Sequence, residues 1–277
     1  MRITGRTRLL AHLGWPTEGF RAPMIYNPWF EASETDVVTV PMGVGADDLE
    51  PVLRALSRLR NFAGALVTMP HKVAVVGLLD EASAAVRACG ACNAVRVEDG
   101  RLVGDMFDGA GFVRGAARKG RDMTGVSALV VGAGGVGSAI AAALTKAGAG
   151  RLVLSDVAPG RAEAVAVRLG VHFPATQVAA GAPDPSGMDV VVNATPLGMK
   201  DGDPLPLDAA RLPSGAFVGE AVLRAEDTPL VAAARARGCT VQVGTDMLFE
   251  QIPAYLEFFG LPVASPDRLR ALARLEG

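Results

Sequence analysis

Apolar and polar positions follow two periods along this chain, and they divide it into strands and helices. In the first hundred residues, the apolar runs Leu9–Leu13, Val37–Val40, Ala65–Thr68 and Ala94–Val97 read as strands. Between them, Leu49, Val52, Leu53, Leu56 and Leu59 recur at helical spacing, which predicts a helix over Asp47–Leu59 behind an aspartate cap. Glu98-Asp99-Gly100 predicts a turn into a strand at Leu102–Val103, and a helix follows from Gly109 to Lys119. From Ser127 the strand-helix alternation restarts. Strands are expected at Ala128–Val131, Leu152–Leu154, Asp189–Val192, Ala216–Val218 and Thr240–Val243, with helices between most of them. The stretches Ala182–Gly187 and Asp201–Pro206 read as surface loops, and helices at Met247–Phe259 and Pro266–Leu275 close the chain. The fold class is therefore α/β. An α/β domain is expected over 1–108, a doubly wound parallel sheet over 109–245, and C-terminal helices over 246–277 packing back on the first domain.

The second sheet opens on the most informative local signal. Leu129-Val130-Val131 runs into Gly132-Ala133-Gly134-Gly135-Val136-Gly137, an alanine-rich helical stretch follows, and Asp156 ends the next apolar run. In this spacing Gly132 permits the tight strand-to-helix turn, Gly134 lets backbone N–H groups approach a pyrophosphate, and Gly137 lets helix and strand pack closely. Gly135 and Val136 start the helix whose positive end faces the phosphates. The bland alternative is a glycine turn without a ligand, and methyltransferases and flavoproteins use similar turns. An acidic residue about 20 residues on argues for a nicotinamide dinucleotide. A carboxylate at Asp156 suits adenosine ribose hydroxyls and repels a 2′-phosphate, so NAD is expected in preference to NADP, with Arg161 close enough in sequence to soften that preference.

Composition narrows the field further. The 277 residues are half hydrophobic, and 27 basic residues are scattered among 29 acidic ones for a net charge of −2. No basic stripe for nucleic acid or an anionic membrane results. Met123–Thr145 carries no charge and is long enough to span a bilayer, but its glycines and small polar residues fit a buried central strand and glycine turn instead. No signal peptide is read at the N-terminus, so a cytoplasmic protein is the default. Cys89 and Cys92 form a CxxC without a second pair or a histidine cluster, and His12, His71 and His172 lack ligand spacing, so no metal site is expected.

Four further segments converge: Val67-Thr68-Met69-Pro70-His71-Lys72, Gly90-Ala91-Cys92-Asn93, Gly104-Asp105-Met106-Phe107-Asp108-Gly109 and Asn193-Ala194-Thr195-Pro196-Leu197-Gly198-Met199. With Thr228-Pro229-Leu230 and Gly244 to Gln251, they resemble the shikimate/quinate dehydrogenase family in order along nearly the whole chain. The resemblance implies that Lys72 stands at the family's catalytic lysine position and Asp108 at its partner aspartate. It implies substrate contacts from Thr68, Asn93 and Gln251, and cofactor contacts from Asn193, Thr195, Pro196, Gly244 and Met247. The chemistry agrees: removing a hydride from a carbinol carbon leaves an oxygen whose proton a positioned amine accepts, for roughly 10²–10⁴ in rate.

The chain also departs from that pattern. Where the family carries Ser-x-Ser-Pro near the N-terminus, this sequence reads Phe20-Arg21-Ala22-Pro23, so both carboxylate-binding hydroxyls are gone. Met106-Phe107, Ala94, Tyr26 and Leu223 likewise replace residues common in the family, and the expected site becomes more apolar. Arg21 is a candidate to take over the carboxylate, since a guanidinium matches it with two hydrogen bonds. The expected activity is oxidation of a secondary alcohol on shikimate, quinate or a related cyclic hydroxy acid, or the reverse reduction, as a possible homodimer in aromatic amino acid biosynthesis. The alternative is a regulator that binds NAD without turnover.

Overall fold

A computed structural model describes residues 2–223 and 227–275. The chain divides into two compact units, one built from Met1–Arg87, Ala91–Phe107 and Ile252–Gly277, the other from Ala88–Gly90 and Asp108–Gln251.

In the first unit the elements are β1 (Arg8–Gly14), α1 (Pro23–Ala32), β2 (Val37–Gly43), α2 (Leu49–Leu56), β3 (Phe62–Val67), β4 (Glu81–Ala82), the start of α3 (Ala84–Cys89), β5 (Ala94–Glu98) and β6 (Arg101–Asp105). The strands form a sheet in the order β2-β1-β3-β5-β6-β4. Parallel pairing of β1 with β2 and β3 gives way to an antiparallel β5–β6 hairpin turned by Asp99 and Gly100, both at positive φ. Helix α2 follows the predicted apolar stripe, but no aspartate side chain caps it, because the N-cap residue Asp48 is already in helical conformation. Helix α1 escapes the sequence pattern. Its residues Ile25, Tyr26, Pro28 and Phe30 are all buried, and Pro28 interrupts the period, so no polar stripe marks it.

The second unit contains α4 (Asp108–Arg118), β7 (Ser127–Val131), α5 (Gly135–Lys146), β8 (Arg151–Ser155), α6 (Arg161–His172), β9 (Gln177–Ala180), β10 (Val190–Asn193), β11 (Phe217–Glu220), α7 (Pro229–Ala236), β12 (Thr240–Gln242) and the first half of α8 (Gly244–Phe258), while α9 (Pro266–Leu272) belongs to the first unit. All pairings here are parallel, in the order β12-β11-β10-β7-β8-β9. Strand order therefore reverses between β7 and β10, the switch point outside which ligands bind in doubly wound sheets. The uncharged stretch after Met123 is β7, the glycine turn and α5, with Leu129, Val130 and Ile140 fully buried. Among the described residues no helix is long and apolar enough to cross a membrane.

Candidate active site

In the first unit, Lys72 sits at the end of a turn whose backbone is tied down at every step. Thr68 N–H donates to Leu13 carbonyl at 2.9 Å, His71 N–H donates back to Thr68 carbonyl at 2.9 Å, and Trp15 N–H donates to Met69 carbonyl at 2.9 Å. His71 is buried, and its Nε2 donates to Val44 carbonyl at 2.8 Å, anchoring the turn to the end of β2. The Lys72 carbonyl accepts Cys92 N–H at 2.7 Å. These bonds fix where the half-buried ammonium stem leaves the backbone, and preorganised geometry of this kind is what a proton-transfer group needs. Gly14 is required beside it, since a side chain there would strike Thr68 Cγ2 and lie 2.7 Å from Met69 carbonyl oxygen.

Asn93 is fully buried at the start of the β5 hairpin. Its Oδ1 accepts Phe107 N–H at 3.1 Å, which orients the amide, and its Nδ2 has no hydrogen-bond partner among the described residues. A buried amide left half satisfied is unfavourable until something accepts from it. Arg21 is half-buried two residues before α1, with its carbonyl accepting Met24 N–H at 3.1 Å.

The second unit gives each fingerprint glycine a separate reason. Gly132 has φ of +98° and a Cβ on it would lie 2.7 Å from Ala194 carbonyl oxygen. A Cβ on Gly137 would overlap Gly132 carbonyl oxygen. Around Gly134 nothing lies within 4 Å of such a Cβ, so the protein itself does not demand a glycine there. The residue fits a close approach by a phosphate, with Gly135 opening α5 behind it and Val136 half-buried in its first turn.

Asn193 ends β10 with its whole amide engaged. Its Nδ2 donates to both oxygens of Glu220 at 2.9 and 3.1 Å and to Leu197 carbonyl at 3.0 Å, while its Oδ1 accepts Thr195 N–H and Oγ1–H at 3.0 and 2.7 Å. Glu220 also accepts from Val222 N–H at 3.0 Å and Thr228 Oγ1–H at 2.8 Å, and burial pushes its carboxyl above the usual range. The Asn193–Thr195 turn, with Pro196 exposed at its crest, thus rests on Glu220. No spacing rule singled out Glu220 or His71, because their partners are remote in sequence.

Asp108 is buried as the first residue of α4, whose glycines let neighbouring elements come unusually close. A Cβ at Gly111 would be 2.8 Å from both Met247 carbonyl oxygen and Gln251 Cβ, and one at Gly115 would be 2.9 Å from Gln242 Nε2. The structure accordingly brings α4 together with Met247 and Gln251, both buried on α8, and Gly244 at its start is forced to be glycine by Val222 carbonyl oxygen.

The comparisons with known proteins decide the family. Residues 13–95 match the shikimate dehydrogenase substrate binding domain. The NADP(+) shikimate dehydrogenase of Rubrobacter xylanophilus is 41% identical over 258 residues, 90% of this chain and 89% of that protein. The chain belongs to the shikimate dehydrogenase family. The NADP(+) shikimate dehydrogenase of Acidiphilium cryptum is 37% identical over 276 residues, 99% of this chain and 98% of its own. The structure of Corynebacterium glutamicum quinate dehydrogenase in complex with NAD superposes with a TM-score of 0.86 at 31% identity, covering 96% of this chain and 98% of the other.

One expectation is corrected by these relatives. Asp156 argued for NAD in preference to NADP, whereas the shikimate dehydrogenases of Rubrobacter xylanophilus and Acidiphilium cryptum are named for NADP(+). The structure shows what the sequence rule left out. Each Asp156 oxygen accepts one backbone amide, Oδ2 from Ala133 N–H at 2.7 Å and Oδ1 from Ala158 N–H at 2.8 Å, with Arg161 Nη1 3.5 Å from Oδ1. The carboxylate ties the glycine turn to the end of β8, and the half-exposed Arg161 offsets its charge. A rule that counts only the acidic residue misses both facts.

Proposed function

We propose that this protein is an NADP-dependent oxidoreductase of the shikimate dehydrogenase family that interconverts a secondary alcohol and a ketone on a cyclic hydroxy acid. The observation that carries this reading is the glycine turn at the sheet's switch point, where Gly132 and Gly137 serve the protein's own backbone and Gly134 leaves room for a ligand. Relatives named as enzymes along nearly the full chain favour catalysis over a silent regulator. A bound dinucleotide would supply the hydride acceptor, which no side chain can be.

The remaining work falls to the chain. Lys72, fixed by its turn, takes the proton of the substrate hydroxyl or returns it in the reverse direction. Asp108 is proposed as the second catalytic group, and Thr68, Asn93 and Gln251 as hydrogen-bonding partners of the substrate. The Nδ2 of Asn93, without a hydrogen-bond partner among the described residues, supports that role. Gly132, Gly134, Gly135, Val136, Gly137, Thr195, Pro196, Gly244 and Met247 are proposed to line the dinucleotide, with Asn193 holding Thr195 in place and Arg161 offering a cation for a 2′-phosphate.

The test is steady-state reduction of NADP and NAD with shikimate and with quinate. Lys72→Ala should lower kcat about 10²–10⁴-fold with a smaller change in KM. Absence of turnover on both acids with either cofactor overturns the reading.

A further inference from the structure

His12 stands where an apolar residue would complete the strand. It lies in the sequence Leu9-Leu10-Ala11-His12-Leu13 of β1, between Pro41 of β2 and Leu66 of β3 in register. The side chain is 8% exposed, and its Nδ1 has no hydrogen-bond partner among the described residues. Its ring face is covered by Phe20, with centroids 4.0 Å apart at 29°. Stacking occupies the face of an imidazole, whereas Nδ1 makes its hydrogen bond in the ring plane.

The surroundings of His12 are those of the proposed substrate site. Gly14, two residues on, shares the same face of β1, and the space over it is shared by Thr68 Cγ2 and Phe20 Cζ, the latter 2.9 Å from a Cβ placed there. Burial first, and the charge of Lys72 second, lower the His12 pKa from 6.5 to about 3, so the ring is a neutral group at working pH. A neutral imidazole beside Lys72 does not need a carboxylate. It suits an uncharged donor such as a ring hydroxyl, and leaves the ligand's negative charge to a cation. A buried ring nitrogen with no partner in the protein is unfavourable for folding, and such groups persist where a ligand supplies the missing bond.

We propose that His12 is a specificity-determining substrate contact, its Nδ1 accepting a hydrogen bond from a ring hydroxyl of the substrate on the face it shares with Thr68 and Phe20. This rests on the reading of the substrate as a cyclic hydroxy acid, and the contact is separable from turnover. An asparagine can present its carbonyl oxygen near the place of Nδ1, whereas leucine fills the volume without a polar atom.

Two measurements test it. Across shikimate, quinate and ring analogues each lacking one hydroxyl, His12→Leu should lower kcat/KM about 10- to 100-fold on every compound bearing the contacted hydroxyl. It should leave the analogue lacking that hydroxyl within about twofold of the parent enzyme, and His12→Asn should recover much of the loss. Equal losses on all compounds, or none, overturn the contact. The second measurement needs no turnover: in the wild-type protein, with only three histidines to assign, saturating shikimate or quinate should shift the imidazole resonances of His12 and leave exposed His172 in place. A His12 shift in a protein that reduces neither cofactor would keep the contact and remove the dehydrogenase reading, whereas no His12 shift with either acid removes the contact.

Discussion

Replacing Gly109 by alanine should destabilise the protein, against the usual preference of helices for alanine. Gly109 is the second residue of α4, and a methyl group there would overlap the carbonyl oxygen of Ala139 on α5 and lie 2.7 Å from Ala143 Cβ. Carbon contacts relax at about 3.5–4.0 Å, so the two helices must part by on the order of 1 Å, and the obstacle is backbone that cannot rotate away. Overpacking of this kind costs roughly 1–3 kcal/mol, and contact with backbone belongs at the upper end, while the gain in helix propensity returns only about 1 kcal/mol. A net loss of about 2 kcal/mol corresponds to a fall in Tm of roughly 4–8 °C. Gly170→Ala is the control, because Gly170 is exposed on α6 and nothing lies within 4 Å of its Cβ position. That variant should hold or gain up to about 1 kcal/mol. Because Asp108 is the residue before Gly109, the parting of the helices should also lower kcat with little effect on dinucleotide affinity. Differential scanning calorimetry of the two variants decides the matter: a Gly109→Ala protein that melts as high as Gly170→Ala refutes the packing argument.

Gly134→Ala should fold with unchanged Tm yet bind NADPH at least tenfold more weakly by fluorescence titration, since its φ of −74° suits alanine and only a ligand uses the space. Glu220→Gln should lose about 1–3 kcal/mol in urea unfolding, because the amide turns one acceptor into a donor facing Asn193 Nδ2, Val222 N–H or Thr228 Oγ1–H. His12 binds a proton below pH 6.5 when unfolded but only near pH 3 when folded, so its contribution to stability is full above 6.5 and drains away toward 3. Between pH 6.5 and 5 the wild type should lose about 2 kcal/mol more than His12→Leu, and parallel stability curves would show that His12 is not held neutral. Arg161→Ala should raise KM for NADP several-fold and leave KM for NAD unchanged, measured in the same assay.

The sequence by itself determined whatever depends on near neighbours along the chain. Apolar runs such as Ala128–Val131 become strands because an uninterrupted apolar segment has only a buried parallel position to occupy, and Gly132 to Gly137 form a tight turn because Gly132 takes a positive φ and Gly137 packs on the Gly132 carbonyl. Elements without a contrast between faces stayed hidden: α1 is apolar around its buried half and broken by Pro28, and β9 is a four-residue strand, Gln177–Ala180, with no buried position. Tertiary structure alone decided which polar groups meet. It gave Asp156 the amides of Ala133 and Ala158, joined Asn193 to Glu220 and Thr228, and anchored His71 on Val44. It also left Nδ1 of His12 without a partner among the described residues. Hydrogen bonds reach about 3 Å, so their partners are chosen by how strands and helices stack, and residues dozens of positions apart carry no mark of that choice in their spacing.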